Sequence, residues 1–305
     1  MRKFLLMTFL LVGTWTTAWT QEAVKANEAF GLLRISRDPA VAGMAGGGYS
    51  VVSRSAAFAT FDNPAIMTFA LSKVDVAVSY GMLTPSFSKA MGLSGGAAVK
   101  LGKLAVSAGY CHQKNASYDL GEGPYTPTDM IVGGAVAIPF GQAVSVGASV
   151  RYVSQKLYTD YAVSGMSVSL MALYHGKGFN VTAGLSDFGG KVKMESGTSS
   201  LPTSVKVAAD YNGLSFGEEH GLLFALDGDY YFSGNYSAAV SARYAFREMV
   251  FVRAAYRYSS PRAVLPSHLA LGLGGKLFGV TLDVSYVLLS ETLSGTLCAG
   301  LGYRF

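Results

Sequence analysis

Nine charged residues stand where short alternating segments would turn them all to one side: Arg151, Lys206, Asp210, Asp227, Asp229, Arg243, Arg253, Arg257 and Asp283. Gathered around one cavity, they could act as a selectivity element along a polar pathway. They could equally pair across neighbouring strands and stiffen a wall, and the mixture of signs favours pairing. Other chemistry is thinly represented. His112, His175, His220 and His268 have no ligand partners at metal spacing, so neither metal nor cofactor is expected. Cys111 and Cys298 fall on segments too far apart for their Cα atoms to come within about 7 Å, which predicts two free thiols. No Ser/His/Asp grouping stands out among the many serines. Gly272-Leu-Gly274-Gly275-Lys276 lies in a strand pattern with no helix after it, which discounts a phosphate loop. The sequence reads as a non-enzyme, and no basic cluster interleaved with aromatics offers itself to nucleic acid.

The elements that position these residues are strands. In the segment 143–153, Val144, Val146, Ala148, Val150 and Tyr152 alternate with Ser145, Gly147, Ser149 and Arg151. The same period of two runs through 236–246, 250–258 and 280–288, with tyrosines at the margins of the apolar face and aliphatics in its middle. A soluble sandwich has no reason to put tyrosine at the edges of its core face. A lipid-facing band with aromatic girdles does. From Lys73 onward about fourteen such segments can be counted, each near the 9–11 residues a tilted strand needs to cross a bilayer. They fall near 73–82, 90–101, 104–113, 128–139, 143–153, 163–175, 178–187, 203–212, 220–231, 236–246, 249–258, 266–276, 279–288 and 293–305. Connections alternate between tight turns and longer polar loops, except that 213–219 is long where a turn is due and 233–235 is short where a loop is due.

Composition agrees. Half of the 305 residues are hydrophobic and only 14% are charged, greasy for a soluble domain. Yet beyond the first residues no run reaches the roughly 18 apolar residues of a membrane helix. At the start, Arg2 and Lys3 precede an apolar run and small residues near Ala18, the layout of a secretory signal peptide over residues 1–20. Residues 21–72 follow neither period and are punctuated by Asp38-Pro39, a glycine triplet and Asn63-Pro64. The fold expected is all-β: a transmembrane antiparallel barrel of about 14 strands over residues 73–305, integral to the bacterial outer membrane and bathed in its lipid, with 21–72 as a plug or hatch in the lumen. Small inward residues on several strands (Gly92, Ser94, Gly96 and Ala98; Gly133, Ala135 and Ala137; Ala270, Gly272 and Gly274) suggest where that segment lies, opposite the charged wall. The outward-facing Tyr303 and terminal Phe305 resemble the signal by which such barrels are recognised for membrane insertion.

Over some forty residues the chain resembles the PorV/PorQ family of Bacteroidota outer-membrane proteins, a branch of the FadL-like fatty-acid-transporter barrels. Phe30, Asp38, Pro39, Met44, Gly46, Asn63, Pro64 and Ala65 carry the likeness; Ala45 and Ile66-Met67 depart from it. The resemblance implies a fourteen-stranded barrel with an N-terminal hatch, and two functions. One is docking, as an accessory component of type IX secretion or surface attachment with other envelope proteins as partners. It expects a sealed bore and apolar loop residues such as Leu83, Phe87, Tyr118, Tyr125, Leu157 and Tyr158. The other is a passive channel for fatty acids or other hydrophobic small molecules. It expects an apolar pocket along the hatch, lined by Phe30, Leu32, Leu33, Ile35, Phe58, Phe61 and Phe69. Short loops and mixed lumen charge tip the sequence reading towards docking.

Overall fold

Fourteen antiparallel strands form a closed barrel, each paired with its neighbour in the chain and the last with the first. The computed structural model describes residues 28–69, 73–83, 89–119, 121, 123–158, 161–194, 197–290 and 292–305. The expected signal peptide, residues 21–27 and 70–72 of the expected hatch, and Phe87 lie outside these. The strands are β1 (Val74–Leu83), β2 (Ala90–Leu101), β3 (Leu104–Lys114), β4 (Thr128–Phe140), β5 (Val144–Tyr158), β6 (Tyr161–His175) and β7 (Phe179–Phe188). The second half comprises β8 (Ser204–Phe216), β9 (His220–Tyr231), β10 (Tyr236–Phe246), β11 (Val250–Ser259), β12 (His268–Leu277), β13 (Val280–Leu288) and β14 (Leu297–Arg304). Two short ladders, Tyr118–Asp119 with Pro124–Tyr125 and Val192–Met194 with Gly197–Ser199, decorate the longer connections.

Most strands lie within a few residues of the alternating segments, and two run further. β8 continues to Phe216 because its pairing with β9 shifts register between Tyr211 and Leu214. An irregularity of this kind breaks the period of two without ending the strand. The long connection expected at 213–219 is thus a tight turn after all, and the alternation of turns and loops is restored there. β5 likewise extends to Tyr158 through an irregularity beside Lys156.

Alternation has the consequence lipid requires. Val78, Leu93, Val136, Val150, Val207 and Val240 project from the outer surface, between 43% and 58% exposed. Their strand neighbours Ser79, Ser94, Ala135, Arg151, Ala208 and Ser241 are buried inside. Closure leaves no unpaired strand edge, so every backbone group of the wall is satisfied without water. The seam is finished by the chain terminus: Phe305 donates its amide to Val74 and accepts the amide of Lys73 at its carbonyl. Outside it the Tyr303 and Phe305 rings meet edge to face, centroids 4.4 Å apart. The chain is an integral outer-membrane β-barrel.

Residues 28–69 pack against inward-facing residues of the wall. Their two proline-led turns explain themselves locally. Asp38 caps the one-turn helix α1 (Pro39–Ala42), its Oδ1 accepting from Ala40 N at 2.9 Å, and proline at the first helical position needs no amide partner. Asn63 repeats the device before the 3₁₀ turn Pro64–Phe69, its Oδ1 accepting from Ala65 N at 3.0 Å. The dipeptides that interrupt any regular pattern in the sequence are therefore the starts of two short helices.

Candidate functional site: a filled bore with an outer cleft

The inner segment is keyed to the wall at glycines on many strands. A Cβ built on Gly96 of β2 would sit 2.0 Å from the carbonyl oxygen of Ala57, and one on Gly147 of β5 2.6 Å from Ala65 N. On the far side, Gly300 of β14 faces Pro39 and Gly272 of β12 faces Gly43 at similar closeness. Not every small inward residue serves this purpose. Gly133 makes room for Arg151, and Gly274 for the ion pair of Arg253 with Asp283.

The charged wall holds the same segment, so the two-sided arrangement expected from sequence is not what the bore shows. Asp227 accepts the amides of Gly48 and Tyr49 at 2.8 and 3.1 Å. Gly46 and Gly48 have φ of +68° and +75°, the left-handed backbone that turns successive N–H groups towards one acceptor. Arg257 donates to the carbonyls of Ala45 (2.6 Å) and Gly46 (2.8 Å), and pairs with Asp229 at 2.8 Å. Asp229 also takes Lys206 at 2.7 Å, which in turn reaches the Tyr49 hydroxyl. Arg151 pairs with Asp187 and donates to Phe61 O, Arg243 donates to Ser53 Oγ, and Arg253 pairs with Asp283. Asp210 accepts from Asn180 at 2.8 Å. Several of these wall charges therefore satisfy the backbone of a chain with little regular structure of its own, which neither a selectivity ring nor simple cross-strand pairing anticipated.

Four participants were missed in the sequence. Asp75 accepts from Ala56 N and Ser55 Oγ; Arg304 donates to Ser53 O; Asp187 anchors Arg151. Arg54 bridges Asp38 and Asp62 at 3.2 and 3.3 Å. Burial pushes the Asp62 carboxyl up to about 6, against the pull of Arg54. A strand-edge position and the proximity of chain termini could have flagged Asp75 and Arg304; nothing in the sequence pointed to the other two.

The apolar residues of the inner segment have two fates. Phe30, Leu32, Leu33, Phe58 and Phe61 are buried in one packed cluster with Cys111, Ile131 and Val153 of the wall. Phe69 packs beside His175, ring centroids 4.8 Å apart. Ile35 instead borders open space. A half-open cleft of about 770 Å³, counting its mouth, lies between residues 34–46 and the wall from β12 round to β3. Ile35, Leu83, Leu265, Val287, Leu293 and Leu297 supply its apolar sides; Arg37, Gln113 and His268 stand among them. It lies at the end of the barrel that carries the longer connections, the outer end in this class. Met44, packed in a separate cluster with Val51, Leu223 and Ala255, sits on the other side of α1. Both cysteines are buried and free. Among the described residues no group of three or more His, Cys, Asp or Glu could hold a metal.

These features describe an outer-membrane barrel whose inward-facing wall residues pack against residues 28–69. The fold is shared with FadL-type barrels. The chain superposes on the CymD monoaromatic hydrocarbon channel with a TM-score of 0.65 at 12% identity, covering 89% of this chain and 98% of that one. It superposes on the Ralstonia pickettii toluene transporter TbuX with a TM-score of 0.62 at 11% identity, covering 88% and 98%. A Pseudomonas aeruginosa FadL homologue gives 0.56 at 11%, covering 89% and 99%. No family model matches the chain. No curated protein matches it either.

The docking expectation, with its role in secretion or surface attachment, is overturned. Its structural neighbours are named as transporters and channels for hydrophobic substrates. An open-mouthed cleft, floored by the inner segment, indents its outer end. Four of the loop residues offered to a partner are engaged at home. The Tyr118 ring lies 6.0 Å from Tyr125 and 6.2 Å from Tyr158; the hydroxyls of Tyr118 and Tyr125 bond to the carbonyls of Leu157 and Tyr158; and Leu157 packs on the inner cluster.

Proposed function

We propose that this chain is a passive outer-membrane channel for small hydrophobic molecules, with residues 28–69 acting as its hatch. The observation that carries the reading is the outer cleft: an apolar recess open at its mouth, floored by the inner segment. Concave, mostly apolar sites with a few placed polar groups are the usual form of small-molecule pockets. The neighbours' names point to toluene and other monoaromatic hydrocarbons as the kind of cargo to try first. The likeness of residues 38–46 and 63–65 to the PorV/PorQ branch we take as kinship of hatch sequences, and a Bacteroidota origin fits it. Passage inward requires α1 to yield, since Ala42 borders the cleft and Ala40 a second space beyond it.

The test is uptake. The chain is expressed in the outer membrane of a host lacking such channels, and entry of radiolabelled toluene is followed. Several-fold faster entry is expected, returning to background when Ser285→Trp fills the cleft. Entry that is no faster than in the empty host would refute the proposal.

A further inference from the structure

Beyond α1, at the end of the barrel with the tight turns, a half-open space of about 650 Å³, counting its mouth, lies among β10 to β14 and residues 40–55. Its character is opposite to that of the cleft. Arg54, Arg243, Arg253, Lys276 and Arg304 border it, against Glu248 and Asp283 alone. Three of these cations have acidic partners. Arg253 pairs with Asp283 at 2.7 Å, Arg304 lies 3.5 Å from Asp75, and Arg54 is shared by Asp38 and Asp62.

Arg243 and Lys276 are left over: among the described residues neither forms an ion pair. Arg243 is only 9% exposed, donates to Ser53 Oγ at 2.7 Å, lies over the Phe251 ring, and its Nε finds no acceptor. Glu248, which also borders the space, is exposed on the turn at the rim, where water screens it. Buried polar groups are nearly always hydrogen-bonded, and an orphan usually marks a missing partner. A guanidinium presents its donors in a planar fork matched to carboxylate and phosphate oxygens. Ser53 and Thr281 add hydroxyls to the same space, and Val51 and Phe251 give it an apolar side.

We propose that this inner pocket is an anion site facing the periplasm, in which Arg243 and Lys276 bind the carboxylate or phosphate group of a small solute. The site does not depend on the channel reading: it is defined by binding, not by passage.

The test is isothermal titration of the detergent-solubilised full chain with inorganic phosphate and, separately, with butyrate, using butyramide as the neutral control. Saturable binding of either anion is expected, weakened ten-fold or more by Arg243→Gln and by Lys276→Gln. Arg247→Gln, whose exposed ion pair with Glu219 lies at the same end, should leave it unchanged. Phosphate binding alone assigns the site to a free inorganic ion; butyrate binding alone assigns it to an organic acid that also uses Val51 and Phe251. Lys276 is half-buried and makes no ion pair among the described residues, so Lys276→Gln should keep the barrel intact and a folding defect at Arg243 leaves the test standing. No saturable binding, binding indifferent to both residues, or equal binding of butyramide would overturn the proposal.

Discussion

Arg151 on β5 and Asp187 on β7 meet at 2.6 Å across the inward face of β6, and the same guanidinium holds the carbonyl of Phe61 at 2.8 Å. One side chain thus ties two strands to the segment inside them. Both partners are buried, so removing one leaves the other charged without a counter-ion. Arg151→Ala is expected to cost about 3–5 kcal/mol. Arg151→Met with Asp187→Asn should recover part of that loss, since Asn tolerates the left-handed backbone of Asp187 (φ +57°). Urea unfolding in lipid vesicles measures both; a double variant no better than the single would argue against the pairing.

Gly96 and Gly95 offer a contrast one residue apart. A methyl on Gly96 meets the Ala57 carbonyl, which is backbone and cannot swing away, whereas one on Gly95 makes only ordinary contacts at 3.7 Å. Gly96→Ala should destabilise the inner segment by about 1–3 kcal/mol, as overpacking does. Gly95→Ala should be near neutral. Protease access at Arg54, read by mass spectrometry, separates the two.

The lipid face predicts a depth dependence. Val240 projects from the middle of β10 and is 52% exposed, while Phe278 stands 89% exposed on a tight turn. Val240→Arg should cost about 2–4 kcal/mol and Phe278→Arg about 0–1 kcal/mol. Equal penalties in a vesicle-folding titration would contradict the assigned facing.

Asp62 gives a pH signature. Its folded pKa, about 6, lies above the ordinary 3.8, so between these values the folded state holds the proton more tightly than the unfolded one. This group's contribution is therefore most favourable below pH 4 and declines as pH rises through 6. Asp62→Asn should remove that decline, flattening the difference in stability between pH 4 and pH 7 by on the order of 3 kcal/mol. Chemical denaturation at the two pH values checks it, and a difference of the opposite sign would count against a buried, protonatable Asp62.

The strands were legible because a bilayer outside and a polar bore inside impose a strict period of two, and residues such as Val150 and Arg151 obey it. β8 escaped at its end because the register shift after Tyr211 moves side chains to the other face without ending the pairing. The inner segment was legible as an interruption but not as a shape. Its path is fixed by partners more than a hundred residues away, such as Asp227 for the Gly48 amide, and no local pattern encodes a partner at that distance. The same gap hid the use of the wall charges. Alternation placed Arg257 inside; it could not show that Arg257 would end on the carbonyls of Ala45 and Gly46. The cleft was foreshadowed only at Ile35, because the neighbouring phenylalanines that looked like a ligand lining are used up in packing.

Ser53 is gripped by Arg243 of β10 and Arg304 of β14, and Ala56 by Asp75 of β1. The anchors of residues 53–56 thus come from β1, β10 and β14. Two of these three strands meet at the seam, so the seat of this stretch is complete only where the sheet has closed on itself. A chain stopped before β14 should leave its leading residues open to protease even where the remaining strands have entered the bilayer.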